Sequence, residues 1–312
     1  MANIFQSHEW EQFKLQSGYQ KSYRVDGVLV LQKNLPLGRT MLYAPMVSQP
    51  TADEIMNSES RIKDFMAEIR KIGNEQNSIF FRLEFDVPVD HDSYPIIHDS
   101  AIVQSFEEMQ PENTWVLDLS QSEEEIQKNM KPRARYNIRL AEKSGVTVKS
   151  GFTAEHLDIF YNLHSSTAIR HGISYRSKDY FARLVECLRP AGLVKIFVAY
   201  LDEEPISSHI IISSGDTAIN MFGASSTDHR EVKAPHLLQW RIIEECKSNG
   251  FAKYDFFGIA PSDDSKHKWA GITSFKKSFG GYQRDLMGSY DLIFKPLEYQ
   301  IFKLAENIRR PK

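Results

Sequence analysis

Two stretches of the chain concentrate side chains able to do chemistry. The first, KPRARYNIRLAEKSGV, sets Lys131, Arg135, Arg139 and Lys143 four residues apart. On a helix of 3.6 residues per turn this spacing makes a slowly drifting stripe of positive charge, with Tyr136, Leu140 and Ile138 left to face the core. Lys128, Arg133 and Lys149 lie in the same region and only Glu142 opposes them. The stripe therefore repels itself unless an anion neutralises it, the alternative being a solvated amphipathic helix. The second stretch, YDFFGIAPSDDSKHKWAGITSFKKSFGG, runs from Tyr254 to Gly281. An apolar strand ending at Gly258, a polar loop through Pro261, Asp263 and Asp264, and the run Phe275-Lys276-Lys277 before Gly280-Gly281 are expected there. Aromatic and glycine residues at this density make a tight turn region where backbone can approach a ligand. The alternative is a packing loop with two solvated lysines.

Other groupings point away from covalent or metal chemistry. Ser207-Ser208-His209 falls in an alternating strand and lacks a Gly-x-Ser-x-Gly elbow, which favours strand packing. His164 and His171 are seven apart on a helix, with no carboxylate or cysteine to complete a ligand set. Asp263-Asp264 lacks the glycine and glutamate of a calcium loop. Cys187 and Cys246 sit in amphipathic helical segments, where buried free thiols are commoner than ligands. Neither a metal nor a disulfide is expected.

The elements around these residues read as mixed α/β. A helix over Trp10–Lys14, strands over Lys21–Gln32 and Met41–Ala44, a helix over Thr51–Asn74 and an apolar strand over Ser78–Phe85 make up the first third. Residues Asp90 to Ser100 turn polar, with Pro88 and Pro95 as breakers, before the strand Thr114–Leu119. Ser122 then suits a helix N-cap followed by glutamates. From Ala154 the same grammar returns: helical segments to His171 and over Asp179–Leu188, then strands over Lys195–Leu201, Ile206–Ser213 and Ala218–Phe222. A helix over Ala234–Ser248 and a strand over Lys253–Gly258 follow. The turn Asp202-Glu203-Glu204-Pro205 signals a hairpin, and the order hairpin, strand, helix, strand is that of an acetyltransferase-like fold. The expected class is α/β with two tandem domains, 1–110 plus 287–312 and 111–286.

With 312 residues, 41% hydrophobic and 25% charged, the chain suits one large or two medium globular domains. MANIFQSHEW is no secretory leader, and no run reaches the ~18 apolar residues of a membrane span, so a cytoplasmic location is expected. A net charge of -3 beside one basic region suits a polyanionic partner met at one place, phosphate or RNA and not DNA, instead of a surface coated for nucleic acid.

Both clusters, in this order, resemble the Fem aminoacyltransferases that build the side branches or bridges of bacterial peptidoglycan. The resemblance takes in Trp10 and Lys14, Arg82-Leu83-Glu84, the basic helix, RHGISYRSKDYF from Arg170 to Phe181, and most specifically YDFFGI with GITSFKKSFGG. It implies that Lys14 and Arg176 contact precursor phosphates, a point charge and a fork of donors respectively. It also implies that Tyr180 lines the pocket and that Phe275 and Lys276 serve the transfer step. Glu84 stands where the family usually has a substrate-contacting aspartate, and Phe222 replaces a tyrosine. The basic helix would hold the tRNA acceptor end through phosphates, without reading sequence. With no sustained heptads between Lys143 and Lys195, the chain looks like the compact, armless type.

Aminoacyl transfer from an activated tRNA ester needs chiefly positioning and oxyanion stabilisation, with no cofactor beyond aminoacyl-tRNA as co-substrate. The acceptor would be UDP-MurNAc-pentapeptide or lipid II. A monomer with peripheral contact to the inner face of the membrane is expected. Two rivals remain: an acyl-CoA-dependent N-acyltransferase of the same fold, disfavoured because REVKAPHLLQWRI has no phosphate-cradling glycine, and a non-catalytic precursor- or RNA-binding module.

Overall fold

The structure, a computed structural model, describes residues 3–48, 51, 53, 59–89, 101–171 and 175–309. The polar stretch 90–100, positions 52 and 54–58 of the expected Thr51–Asn74 helix, and 172–174 lie outside the described residues. The chain groups into two compact units. A terminal unit holds Ala2–Glu112 and Asp285–Lys312, and a central unit holds Asn113–Arg284.

In the terminal unit, helix α1 (His8–Gln16) starts at Ser7, whose hydroxyl accepts from the Trp10 N–H at 3.1 Å. Strands β1 (Lys21–Val25) and β2 (Val28–Leu35) form a hairpin, where one strand over Lys21–Gln32 is expected from the sequence. Asp26 and Gly27 both take positive φ, 47° and 80°, and such a two-residue turn matches the right-handed twist of the strands it joins. Strand β3 (Arg39–Ser48) runs antiparallel to β2, and helix α2 (Glu59–Glu75) returns the chain to β4 (Ser78–Pro88), parallel to β3. Phe65, Met66, Ile69 and Ile72 of α2 pack on Val30, Leu42, Phe81 and Leu83, an apolar stripe at helical spacing against an apolar sheet face. The short strand β5 (Ile102–Gln104) lies beside a strand from the far end of the chain, described below.

The central unit opens with β6 (Asn113–Asp118) and α3 (Glu123–Asn129), where Ser122 and Glu125 form a reciprocal capping box. Helix α4 (Pro132–Lys143), strand β7 (Thr147–Gly151), and helices α5 (Ala154–His171) and α6 (Lys178–Leu188) follow. Strands β8 (Val194–Leu201), β9 (Glu204–Ser214) and β10 (Thr217–Ser225) are antiparallel neighbours. Helix α7 (Ala234–Ser248) then leads to β11 (Lys253–Gly258), parallel to β10 and antiparallel to β6. Trp240, Ile242 and Ile243 of α7 join Leu117, Phe197 and Tyr254 in this unit's core.

Beyond β11 the structure departs from the expected loop: Ala270–Lys277 is a helix, α8. Thr273, buried on that helix, accepts from the Ala260 N–H at 2.9 Å and ties it to the end of β11. Strand β12 (Tyr282–Ile293) pairs with β4 and β5, and helix α9 (Pro296–Arg309) sets Tyr299 and Phe302 against Phe80. The plan of hairpin, third strand, helix and parallel fourth strand thus occurs twice, as β1–β2–β3–α2–β4 and as β8–β9–β10–α7–β11. Among the described residues no helix is long and apolar enough to cross a membrane.

Candidate active site

The two parallel strand pairs differ in one respect that creates a site. β10 and β11 pair only from Thr217↔Lys253 to Ile219↔Asp255 and then diverge. Both strands irregularise at that point: β10 shifts register against β9 between Asn220 and Phe222, and β11 shifts against β6 between Asp255 and Gly258. Phe257 takes φ 65°, a left-handed conformation unusual for a bulky residue, while its N–H donates to Asp255 Oδ1 at 2.7 Å. Into the resulting wedge opens a cavity of about 530 Å³. Its floor and walls are His209, Asn220 and Met221 from the sheet, His236 and Gln239 from α7, and Phe275 and Lys276 from α8. Arg170, Arg230 and Lys233 stand among the remaining lining residues, so cations share a cavity with largely uncharged neighbours.

Lys276 lies in the last turn of α8 and donates from Nζ to the Gly258 carbonyl at 2.6 Å. Burial lowers its pKa to about 8, with Asp255 working in the opposite direction. An ammonium has three donors, so the bond to Gly258 leaves capacity for a ligand oxygen. Phe275 packs edge-on to His236, ring centroids 5.0 Å apart, and meets Phe279 at 5.2 Å. The paired glycines close this region: a Cβ on Gly281 would lie 2.3 Å from the Val116 carbonyl oxygen, and Trp115 Nε1 donates to the Gly280 carbonyl at 2.6 Å.

Two cavity histidines escape sequence reasoning in different ways. His209 is indeed a buried strand residue, as Ser207-Ser208-His209 suggested, yet it also faces the cavity. Burial and then Lys276 lower its pKa to about 4, and its Nδ1 lies 3.0 Å from Asn220 Nδ2. His236, its pKa also lowered to about 4 by burial and then by Lys233 and Arg133, sets Nε2 3.1 Å from Asn137 Nδ2 of α4. Only the register shift in β10, invisible to simple alternation, brings Asn220 and Met221 together on the cavity side.

Other expected site residues fall in separate places. Arg176, exposed just before α6, sits with its guanidinium 5.0 Å from the Tyr180 ring centre. Tyr180 meets Phe181 at 5.5 Å and Phe181 meets Phe222 at 5.1 Å, so Arg176, Tyr180 and Phe222 belong to one aromatic wall of the central unit. Burial raises the Tyr180 pKa and Arg176 partly offsets it. Lys14 and Glu84 belong to the terminal unit. The Lys14 ammonium, largely buried, lies 4.9 to 5.5 Å from the ring centres of Trp10, Phe13 and Tyr19, within cation–π range. Glu84 is buried too, and its carboxylate accepts from Met109 N at 2.8 Å, Gln110 N at 3.1 Å, Ser289 Oγ at 3.2 Å and the Tyr43 hydroxyl. Burial raises its pKa against those donors. This arrangement ties the 109–110 segment to the sheet and leaves the carboxylate little reach toward a substrate.

The basic helix is real, and its stripe is uneven. Lys131 caps α4 and is exposed, as are Arg139 and Lys143. Arg135 instead turns back and donates to the carbonyls of Gln127 (3.1 Å), Lys128 (3.2 Å) and Met130, satisfying the C-terminal end of α3. Tyr136, expected to face the core, is 59% exposed; the buried face is Ala134, Asn137, Ile138 and Ala141. Helix α4 starts at Pro132, with Lys131 at its N-cap. Glu142, the lone acid among these cations, pairs with Arg241 of α7 at 2.8 Å.

Comparison with known proteins agrees with this architecture. The model of the FemAB family matches residues 94–205 and 194–307, together more than half of the chain. The lipid II:glycine glycyltransferase of Staphylococcus epidermidis is 20% identical over an alignment covering 97% of this chain and 89% of that protein. The crystal structure of FemX superposes with a TM-score of 0.82 at 20% identity, covering 96% of this chain and 94% of its own. A tandem GNAT protein from the clavulanic acid biosynthesis pathway superposes at 0.53 and 10% identity over 85% and 78% of the two chains. The fold is therefore a tandem of GNAT-like domains, and the chain belongs to the FemAB family, that of the Fem peptidoglycan aminoacyltransferases.

Proposed function

We propose that this protein transfers an amino acid from aminoacyl-tRNA onto the stem peptide of a peptidoglycan precursor. Glycine and a lipid-linked acceptor are the first pair to test, because the S. epidermidis relative is a lipid II:glycine glycyltransferase. The observation that carries the proposal is a half-buried lysine, Lys276, at the wedge between diverging strands, beside a lining rich in uncharged polar groups. An aminoacyl ester is already activated, so attack by the acceptor amine needs a held geometry and a positive charge where the tetrahedral oxyanion develops. Lys276 supplies that charge, and Phe275 shapes the wall beside it. Arg170, Arg230 and Lys233, with the exposed Lys131, Arg139 and Lys143 of α4, suit the phosphates of the tRNA end. Lys14, Arg176 and Tyr180 are assigned to the precursor, Phe222 to the wall behind Tyr180, and Glu84 to support of its own segment.

An acyl-CoA-dependent enzyme of the same fold would need free N–H groups at a helix start to face the pyrophosphate. Here Pro235 occupies the first turn of α7 and has no N–H to give, which supports tRNA over CoA. The test incubates purified protein with a panel of charged tRNAs, acetyl-CoA and both precursor forms, and follows product mass. Transfer from acetyl-CoA alone would overturn the proposal. A lipid-linked acceptor brings the enzyme to the cytoplasmic membrane surface as a peripheral monomer. The side chains Leu297, Ile301, Leu304 and Ile308, all exposed along one face of α9, support that contact. Four side chains over about three turns of helix present less area than the ~800 Å² per partner of a stable dimer, which favours lipid as the occupant. Co-flotation with vesicles containing anionic lipid, lost on Leu297→Lys/Leu304→Lys, tests it.

A further inference from the structure

The floor of the cavity carries a polar chain that ends one atom short of satisfaction. Tyr254, buried in the core, accepts from Gln239 Nε2 at 2.6 Å. The other end of that amide, Gln239 Oε1, faces Asn220 and accepts from Asn220 Nδ2 at 3.1 Å. The same Nδ2 reaches His209 Nδ1 at 3.0 Å. With Gln239 Oε1 and His209 Nδ1 as acceptors, both hydrogens of the Asn220 amide are used. In this arrangement His209 accepts at Nδ1, which sets its proton on Nε2, and its ring sits against Gly223, where a Cβ would come within 3.0 Å of that nitrogen. The chain thus sets Asn220 rigidly with Oδ1 left over. Asn220 is 8% exposed, lines the cavity, and its Oδ1 has no partner. An acceptor so buried costs about 1–3 kcal/mol unless a donor meets it, and such exceptions call for an explanation.

We infer that Asn220 Oδ1 is the receptor for the free α-amino group of the aminoacyl donor, so that the cavity distinguishes aminoacyl from plain acyl esters. The inference rests on the transfer reaction proposed above and specifies how its donor is read. A primary amine, neutral or protonated, always has an N–H to give, whereas the acetyl isostere of glycine offers only C–H at the same place. The amine is one carbon from the carbonyl under attack, so an acceptor beside Lys276 and His209 can hold it while the lysine meets the carbonyl oxygen. A neutral His209 adds no charge to repel it. Binding to an ionised amine is a charge-assisted hydrogen bond. Asn220 is accordingly a specificity-determining residue, and His209 and Gln239 are positioning residues acting through it.

The test uses the full chain and two stable mimics of the tRNA terminus, 3′-amino-3′-deoxyadenosine carrying either a glycyl or an acetyl amide, with affinity read by calorimetry. Wild type is expected to prefer the glycyl compound by about 10- to 100-fold, the worth of one hydrogen bond to a charged group. Asn220→Ala should remove that preference by weakening glycyl binding while leaving acetyl binding unchanged. Asn220→Asp keeps an oxygen in place and loses the donor to His209 and Gln239. It should retain the preference, an outcome a purely structural asparagine would not give. Equal affinity of wild type for both mimics, or binding of neither, overturns the inference even if transfer proceeds. So does a preference that survives in a folded Asn220→Ala protein, with folding checked by thermal melting. A glycyl preference abolished in Asn220→Ala, in a protein that fails to transfer from any charged tRNA, upholds the subsite and defeats the proposed reaction instead.

Discussion

The two units share one plan and part company at the same place, the seam between their parallel strands. In the terminal unit β3 and β4 stay paired from Thr40↔Ser78 through Ser48↔Asp86, despite two register shifts. In the central unit β10 and β11 hold for three pairs and separate. Polar side chains near the closed seam satisfy one another: Arg82 donates to both Asp291 oxygens at 2.8 Å, Tyr299 donates to Asp291 Oδ2 at 2.7 Å, and Glu84 collects its donors. The void beside that core measures about 10 Å³, against about 530 Å³ in the open wedge. The comparison teaches that one arrangement of strands can serve as a closed scaffold or as a reaction chamber. Whether the polar groups at its centre are consumed internally or left facing a cavity decides which.

The strongest test of the closed seam is to break its ion pair. Arg82 and Asp291 are both fully buried, and burial works against the arginine charge while Asp291 and then Glu107 raise its pKa. Arg82→Met should destabilise the fold by about 3–5 kcal/mol, because the buried Asp291 charge is left unanswered, and Asp291→Asn should cost less, since Glu107 still faces the guanidinium at 3.2 Å. Urea unfolding measures this, and a loss below about 1 kcal/mol would show that the seam tolerates an open polar centre.

In the open wedge the corresponding test is chemical. Lys276→Met should lower kcat by on the order of ten- to a thousandfold with little change in precursor binding, since the charge acts on an oxyanion absent from the ground state. The pH dependence follows from the same residue. Its pKa is depressed to about 8, so the ammonium is present below that value and is lost as pH rises through it. Wild-type kcat should fall on that alkaline limb, and Lys276→Arg should flatten it. A full kcat in Lys276→Met with weakened precursor binding would move this lysine to the precursor site.

Smaller and different in kind are the effects expected at Lys14 and Arg176. If each grips phosphate equally in ground and transition state, Lys14→Met and Arg176→Met should raise KM for the precursor and spare kcat. The aromatic surroundings of Lys14 add a control: Trp10→Leu removes a cation–π neighbour at 4.9 Å and should raise KM less than removal of the charge. Equal losses in kcat and kcat/KM would sink the division between clamp and transfer site.

How much of this was legible in the residues follows from which signals are local. The alternation in VKIFVAYL and EPISSHIIISS, the Asp202-Glu203 turn and the capping box at Ser122 are local, and the elements they mark stand where expected. Asp26-Gly27 was equally local, but the apolar run on both sides hid it as one strand. Helix α8 was missed because Gly271 and Thr273 are poor helix formers, and its stability comes from Thr273 and Phe275 packing on distant β11 and α7. The cavity itself was beyond reach: the shift at Phe257 arises against β6, far away in sequence, and the one at Met221, although it lies within the β9–β10 hairpin, leaves no mark on the alternation of residue types. Lys276 was found through resemblance of the FKK run, whereas Asn220, Gln239 and His236 had no motif to betray them.

The smallest expected effect separates cations that look alike in sequence but differ in the fold. Lys131, Arg139 and Lys143 are exposed on α4, while Arg135 is spent on the carbonyls that end α3. If the exposed three meet tRNA phosphates, each removal should cut the slope of log affinity against log salt by roughly 0.7–0.9, and the triple glutamate variant by about 2–3. Arg135→Ala should leave that slope alone and instead lower stability by about 1 kcal/mol, through unsatisfied carbonyls at a helix C-terminus and loss of a favourable charge there. The two readouts come from the same protein preparations, filter binding across a salt series and thermal melting. An Arg135→Ala protein that melts normally and loses as much salt dependence as Arg139→Ala would show that the guanidinium leaves its carbonyls to join the stripe when RNA arrives.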